Sequence, residues 1–199
     1  MPLARNFNGT RVVTTVMDGF LDRLSKWSDI QEYMPFLYET ARSYPNVRVL
    51  ELGTRTGNST SAFLAAAVAV NGSVISVDID RVTDNPQMKP FIGNTAWRFV
   101  HGSDTEEAVQ AVLPLEVDVL FVDSSHEYEH TLAELRAYMP RVAKNGIALF
   151  HDTNLQGWGG NSPREGYPEV RQALDTYCVE TGLTWENLPG RYGLGMIRP

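Results

Sequence analysis

Cysteine is almost missing: the 199 residues contain one, Cys178, so no internal disulfide can form. It sits in an apolar-periodic stretch (ALDTYCVE), which reads as a buried helical thiol rather than a nucleophile. Long apolar runs are missing too. The longest, residues 62–70 (AFLAAAVAV), falls well short of the roughly 20 residues that span a bilayer, and residues 1–15 lack the apolar centre of a signal peptide. These absences exclude a disulfide scaffold and a membrane span, and they suit a soluble, cytoplasmic protein. Positive charge is scarce: 17 Lys and Arg against 24 Asp and Glu give a net charge of -7, which argues against a nucleic-acid backbone as partner. Repeats and low-complexity tracts are absent. What is present is an ordinary globular composition, 43% hydrophobic and 21% charged, in a chain long enough for one substantial core and short for two.

Beyond an arm over residues 1–15, Phe20, Leu21, Leu24 and Trp27 fall at helical spacing in residues 18–27, and Met34, Leu37, Tyr38 and Ala41 do so in residues 29–44. Pro35 either lies in the first turn of that second helix or breaks it. The pattern changes near residue 46, dividing the chain into a helical arm or cap over residues 1–45 and a main domain over residues 46–199. Strands are expected at residues 47–51 (VRVLE), 73–78 (SVISVD), 97–101 (WRFVH), 117–123 (VDVLFVD) and 147–150 (IALF), with two short ones at 184–188 and 194–197. Helices fall between them: Asn58-Ser59 caps one running to Val70, Ser103 and Asp104 stand at capping-box spacing before Glu106 and Glu107, a third runs to Arg141, and the last covers residues 169–181. Lys144-Asn145-Gly146 reads as a turn, and residues 152–168 as a loop rich in Gly, Asn and Pro. Alternation of this kind predicts an α/β, Rossmann-like, doubly wound sheet of seven mostly parallel strands, helices on both faces, with an antiparallel last strand.

In such a sheet a ligand lies beyond the carboxyl ends of the strands, near the topological switch point. Residues just after each strand are therefore the candidates. Gly53 and Gly57 follow the first strand, one for a sharp turn and one to keep a side chain out of the space beside a ligand. The helix starting near Ser59 offers free amides and a positive dipole end. Asp78 ends the second strand, where a carboxylate can accept both hydroxyls of a ribose. Ser103 and Asp104 follow the third strand and either bond an adenine edge or only cap their helix.

These residues resemble the class I S-adenosylmethionine (SAM)-dependent methyltransferases over residues 47–153, with Gly193-Leu194-Gly195 as a weaker echo. The first strand carries the hydrophobic–Glu–hydrophobic–Gly motif as Leu50-Glu51-Leu52-Gly53, the fourth ends in Asp123-Ser124-Ser125-His126, and the fifth ends in His151-Asp152. The resemblance implies Gly53, Gly57 and Ser59 around the methionine portion of SAM with Glu51 near its amino group. It also implies Asp78 on the ribose and Ser103 or Asp104 at the adenine, with Asp123 closing the cofactor site. A dinucleotide dehydrogenase fits less well, since residues 53–56 lack the Gly-x-Gly-x-x-Gly spacing.

Asp123 and Asp152 end two strands that, if paired, lie roughly 4.8 Å apart, so their carboxylates can converge. Two such oxygens suit Mg²⁺, which lowers the pKa of a substrate hydroxyl, and metal-dependent O-methyltransferases resembling this chain use such a pair. His151 either joins as a third ligand, favouring Mn²⁺, or bonds a backbone group. His126, near its ordinary pKa, is the candidate general base for a hydroxylated small-molecule acceptor. A competing pattern, His126-Glu127-x-x-His130, matches a zinc hydrolase, although no third ligand follows it. Another alternative is a SAM-binding domain without transferase activity. Trp158 and Gly157–160 suggest a lid over the acceptor. Phe20, Trp27, Tyr33 and Tyr38 of the amino-terminal helices either wall the pocket or pair subunits in a homo-oligomer.

Overall fold

The computed structural model describes residues 15–155 and 166–199. Its centre is a seven-stranded sheet in the order β3-β2-β1-β4-β5-β7-β6. β1 (Arg48–Leu52), β2 (Ser73–Asp78), β3 (Trp97–His101), β4 (Val117–Val122) and β5 (Val142–His151) are parallel. β7 (Leu194–Ile197) runs antiparallel to both β5 and β6 (Trp185–Leu188). The chain order turns back between β1 and β4, which makes their carboxyl ends the switch point.

Strand alternation divides the core in two. Val49, Phe121, Ile147 and Leu149 face α1 (Val16–Leu24), α2 (Met34–Arg42) and α3 (Asn58–Ala69). Leu50, Leu52, Leu120 and Phe150 pack with residues of α5 (Tyr128–Tyr138) and α6 (Glu169–Thr181). α3 is buried on all sides from Ser59 to Ala67 because α1 and α2 cover its outer face. Its small side chains permit that close double contact. Among the described residues no helix is long and apolar enough to cross a membrane, and Cys178 is a free, buried thiol on α6.

Several local expectations change. α1 begins at Val16 and stops at Leu24, before Trp27, under a capping box in which the Thr15 hydroxyl and the Asp18 carboxylate each accept the other's backbone N–H. Pro35 sits in the first turn of α2, after a 3-10 turn over Gln31–Tyr33. The N-cap of α3 is Gly57, without a side-chain bond, rather than Asn58 or Ser59. Nor do Ser103 and Asp104 cap α4 (Glu107–Ala111): its N-cap is Glu106, and the Ser103 hydroxyl pairs with Thr105. Lys144-Asn145-Gly146 lies within β5, where a register shift opposite Val117 and Val119 absorbs the irregularity.

Candidate active site

The turn from β1 into α3 forms the floor of the site. Gly53 has φ +87, and a Cβ there would lie 2.1 Å from the Asp123 carbonyl oxygen, so glycine lets the ends of β1 and β4 touch. Gly57, at φ +76, would place a Cβ 2.5 Å from the Met88 sulfur and 3.1 Å from Phe91. The space it leaves on that side is occupied by Met88 and Phe91. Asp78 ties the turn to β2: one carboxylate oxygen accepts the Thr54 and Arg55 amides at 2.8 Å each, and the other accepts the Asp80 amide at 2.8 Å.

Glu51 lies beneath this turn. Alternation along β1 turns its side chain under α3, where it is fully buried and accepts the hydroxyls of Ser59 (2.6 Å), Thr60 (2.7 Å) and Ser76 (2.5 Å). Burial raises its pKa to about 7 against the opposing pull of those hydroxyls. Ser59 therefore links Glu51 to a cavity of about 490 Å³ above the turn, lined among others by Arg23, Trp27, Thr54, Ser59, Asp123 and Tyr192.

Arg23 carries no sequence motif, yet it braces this region. Its guanidinium donates to the Thr56 carbonyl at 2.7 Å, to Asn58 at 3.1 Å and to the Gln87 carbonyl, and it lies 4.9 Å over the Phe91 ring. Burial lowers its pKa to about 10, so the charge persists at neutral pH.

The second half of the site lies at the ends of β4 and β5. His126 Nε2 stands 2.8 Å from Asp152 and 3.5 Å from Asp123, while His151 Nδ1 is 3.1 Å from Asp123 and 3.3 Å from Asp152. His151 thus pairs with carboxylates and not with a backbone group. It is wedged between Tyr33, in edge contact at 5.8 Å, and Tyr192 at 6.1 Å, so the amino-terminal segment does wall the site. Gly193 donates its amide to the Tyr33 hydroxyl at 3.0 Å. Asp152 holds φ +62, an unusual backbone conformation for a non-glycine residue.

Burial opposes charge on all four groups, but their mutual attraction outweighs it. His126 rises to about 9 and His151 to about 10, while Asp123 and Asp152 are held below the usual carboxylate range. Both imidazoles are protonated at neutral pH, so the near-neutral pKa expected of His126 as a base is not what the bare site has. The donor set nevertheless fits a divalent cation. Asp123, His151 and Asp152 offer ligand atoms all within 4.8 Å of one another, and His151 Nε2 and Asp152 Oδ1 are buried with no hydrogen-bond partner.

The His126-Glu127-x-x-His130 pattern is split. His126 precedes α5 and turns to Asp152, whereas His130, on α5, pairs with Asp104 at 2.9 Å. Asp104 is consequently engaged with α5, and neither it nor the half-buried Ser103 lines the cavity. Trp158 and the lid proposed around it lie outside the described residues.

This floor and paired-acid arrangement accompany a clear kinship. The sequence pattern of a methyltransferase domain matches residues 50–153, and the chain belongs to that family. Two curated relatives are uncharacterized proteins. One is y4gI of Sinorhizobium fredii, 23% identical over 89% of this chain and 20% of its own length. The other is R132 of Acanthamoeba polyphaga mimivirus, 25% identical over 66% of this chain and 59% of its own. The chain thus spans a fifth to about three-fifths of the length of these relatives. Among solved structures, the O-methyltransferase TomG from Streptomyces achromogenes, involved in tomaymycin synthesis and in complex with SAM, superposes with a TM-score of 0.70 at 14% identity, covering 100% of this chain and 92% of TomG. MycE, a methyltransferase of the mycinamycin pathway in complex with Mg, SAH and mycinamycin VI, superposes at 0.65 with 16% identity, covering 92% of this chain and 53% of MycE. The fold is that of the class I methyltransferases.

Proposed function

We propose that the chain transfers the methyl group of SAM to an oxygen of a hydroxylated small molecule, assisted by a divalent cation, Mg²⁺ or Mn²⁺, at Asp123, His151 and Asp152. One observation carries this: Asp123, His126, His151 and Asp152 converge at the ends of β4 and β5, beside a cavity that Asp123 itself lines. Family membership supports methyl transfer, and the Mg held by MycE supports the metal. Residues 46–199 form the catalytic domain in this proposal, and residues 1–45 its cap.

Gly53, Thr54 and Ser59 receive the methionine portion against the uncapped start of α3, with Glu51 supporting Ser59 from beneath. Asp78 keeps lone pairs for a ribose while holding the turn. Ser103 rather than Asp104 takes the adenine edge, because the Asp104 carboxylate is bonded to His130. The sulfonium methyl is already electrophilic, so the protein's task is to align the acceptor oxygen and accept its proton. A divalent cation supplies Lewis acidity that lowers the pKa of a bound hydroxyl. A cation held by Asp123, His151 and Asp152 would offset the carboxylate charge that raises His126, whose ring would then be the group placed to take that proton.

Incubation with SAM and a panel of hydroxylated metabolites, with Mg²⁺, Mn²⁺ or a chelator, tests the proposal. Methylated product that disappears with the chelator is the expected result. SAM binding by calorimetry with no transfer to any acceptor would instead leave a cofactor-binding domain.

A further inference from the structure

His130 is left over from the split histidine pattern, and it has a fully buried neighbour. Glu134 stands one turn along α5, completely buried, and Asp104 enters from the loop after β3. His130 Nε2 is 2.9 Å from Asp104 Oδ1 and 3.7 Å from Glu134 Oε1, and the three residues offer ligand atoms all within 4.8 Å of one another. Glu134 Oε1 accepts the Ser124 hydroxyl at 2.5 Å, but Oε2 is buried without a hydrogen-bond partner. Among the described residues, no lysine or arginine pairs with either carboxylate.

One imidazole ring faces two carboxylates. A second carboxylate, wholly buried and with an oxygen unbonded, is costly unless something neutralises it. The bare protein does so by retaining a proton on Glu134, whose pKa burial and the Asp104 charge push well above the ordinary range. A divalent cation would neutralise both carboxylates, with the imidazole neutral and donating its lone pair, and satisfy the unbonded oxygen. One imidazole nitrogen with two carboxylate oxygens is a donor set for a borderline first-row ion rather than for Ca²⁺. Zinc–ligand bonds of about 2.1 Å place donors about 3.4 Å apart, between the two spacings found here.

We infer that Asp104, His130 and Glu134 form a second metal site, distinct from the one at Asp152, that takes Zn²⁺. Bound there, the ion fastens α5 to the loop after β3. Ser124, which bonds Glu134 and follows Asp123 in the chain, connects the two centres. The site does not depend on the proposed activity.

Zinc alone is the probe. Full-length protein stripped with chelating resin is loaded with Zn²⁺, passed through gel filtration and assayed for bound metal. Wild type should retain two ions per chain, Asp152→Asn one, His130→Gln one, and the double variant none. An Asp152→Asn protein that retains no zinc, or a His130→Gln protein that retains as much as wild type, would overturn the site. Should His130→Gln fail to fold, Co²⁺ loaded into Asp152→Asn protein gives the second readout. Intense visible bands of a four-coordinate ion, lost on adding one equivalent of Zn²⁺, support the site, and a spectrum of aqueous Co²⁺ alone rejects it.

Discussion

Asp123 and Asp152 face two imidazoles, whereas Asp104 and Glu134 share one. The first cluster can be neutral without any ligand, as two carboxylates and two imidazolium ions. The second has one imidazole for two carboxylates and leaves a carboxylate that must keep a proton or meet a cation. The difference teaches that a balanced cluster releases protons when a metal or substrate arrives, whereas an unbalanced one waits for a charge. The first cluster stands beside a cavity, whereas the carboxylate of Glu134 is sealed in the core.

The largest expected effect comes from destroying the balance. Asp152→Asn leaves two imidazoles facing one carboxylate, and steady-state kinetics with a methyl acceptor should show kcat/KM falling by about 10³-fold. Calorimetric SAM affinity should hardly move; a matching loss of affinity would place Asp152 in the cofactor site instead.

A third carboxylate, Glu51, has neither imidazole nor cation, only hydroxyls, and so sharpens the contrast. Its pKa is about 7 in the folded chain against 4.5 ordinarily. Its contribution is therefore intact below pH 4.5 and is lost as pH rises through 7, a swing of about 3 kcal/mol. Urea denaturation of Glu51→Gln at pH 5 and pH 8 should lack the part of the decline that wild type shows. Parallel pH curves for the two proteins would count against an ionising Glu51.

Metal affinity at the first cluster should climb with pH, because His151, raised to about 10, must give up its proton to ligate. Mn²⁺ titrations at pH 7, 8 and 9 should show roughly tenfold tighter binding per unit, and a flat profile would remove His151 from the ligand set. The smallest effect concerns the floor. Asp78→Ala frees the Thr54 and Arg55 amides, and SAM affinity should fall about fivefold by calorimetry. Unchanged affinity would take Asp78 out of the site.

The sheet was legible in the sequence because its signals are local and periodic. β2, β3, β7 and α6 fall where alternation and helical spacing put them, and the strand-end rule reached Asp78, Asp123 and Asp152. What escaped depends on facing and distance. The same alternation that marked β1 as a strand also sends Glu51 to the α3 side, away from the turn it precedes. His126 and His130 share a helical spacing, but α5 starts only at Tyr128, so the two rings serve different acids. Side chains at Ser59, Ser103 and Asp104 suit capping, yet tertiary or loop partners claim them first. Arg23 announces nothing in one dimension, since its partners lie far along the chain at Thr56 and Gln87.

Arg23 has a thermodynamic consequence. One guanidinium joins α1 to the carbonyl of Thr56 on the turn after β1 and to that of Gln87 beyond β2. Docking of the amino-terminal helix and ordering of the turn are thus coupled equilibria, and linkage makes the coupling reciprocal. Whatever free energy a ligand contributes to ordering the turn also holds α1 in place, and loss of α1 weakens the ligand by the same factor. Tryptic cleavage at Lys26, exposed just past the end of α1, is therefore a reporter of cofactor occupancy that needs no knowledge of the acceptor.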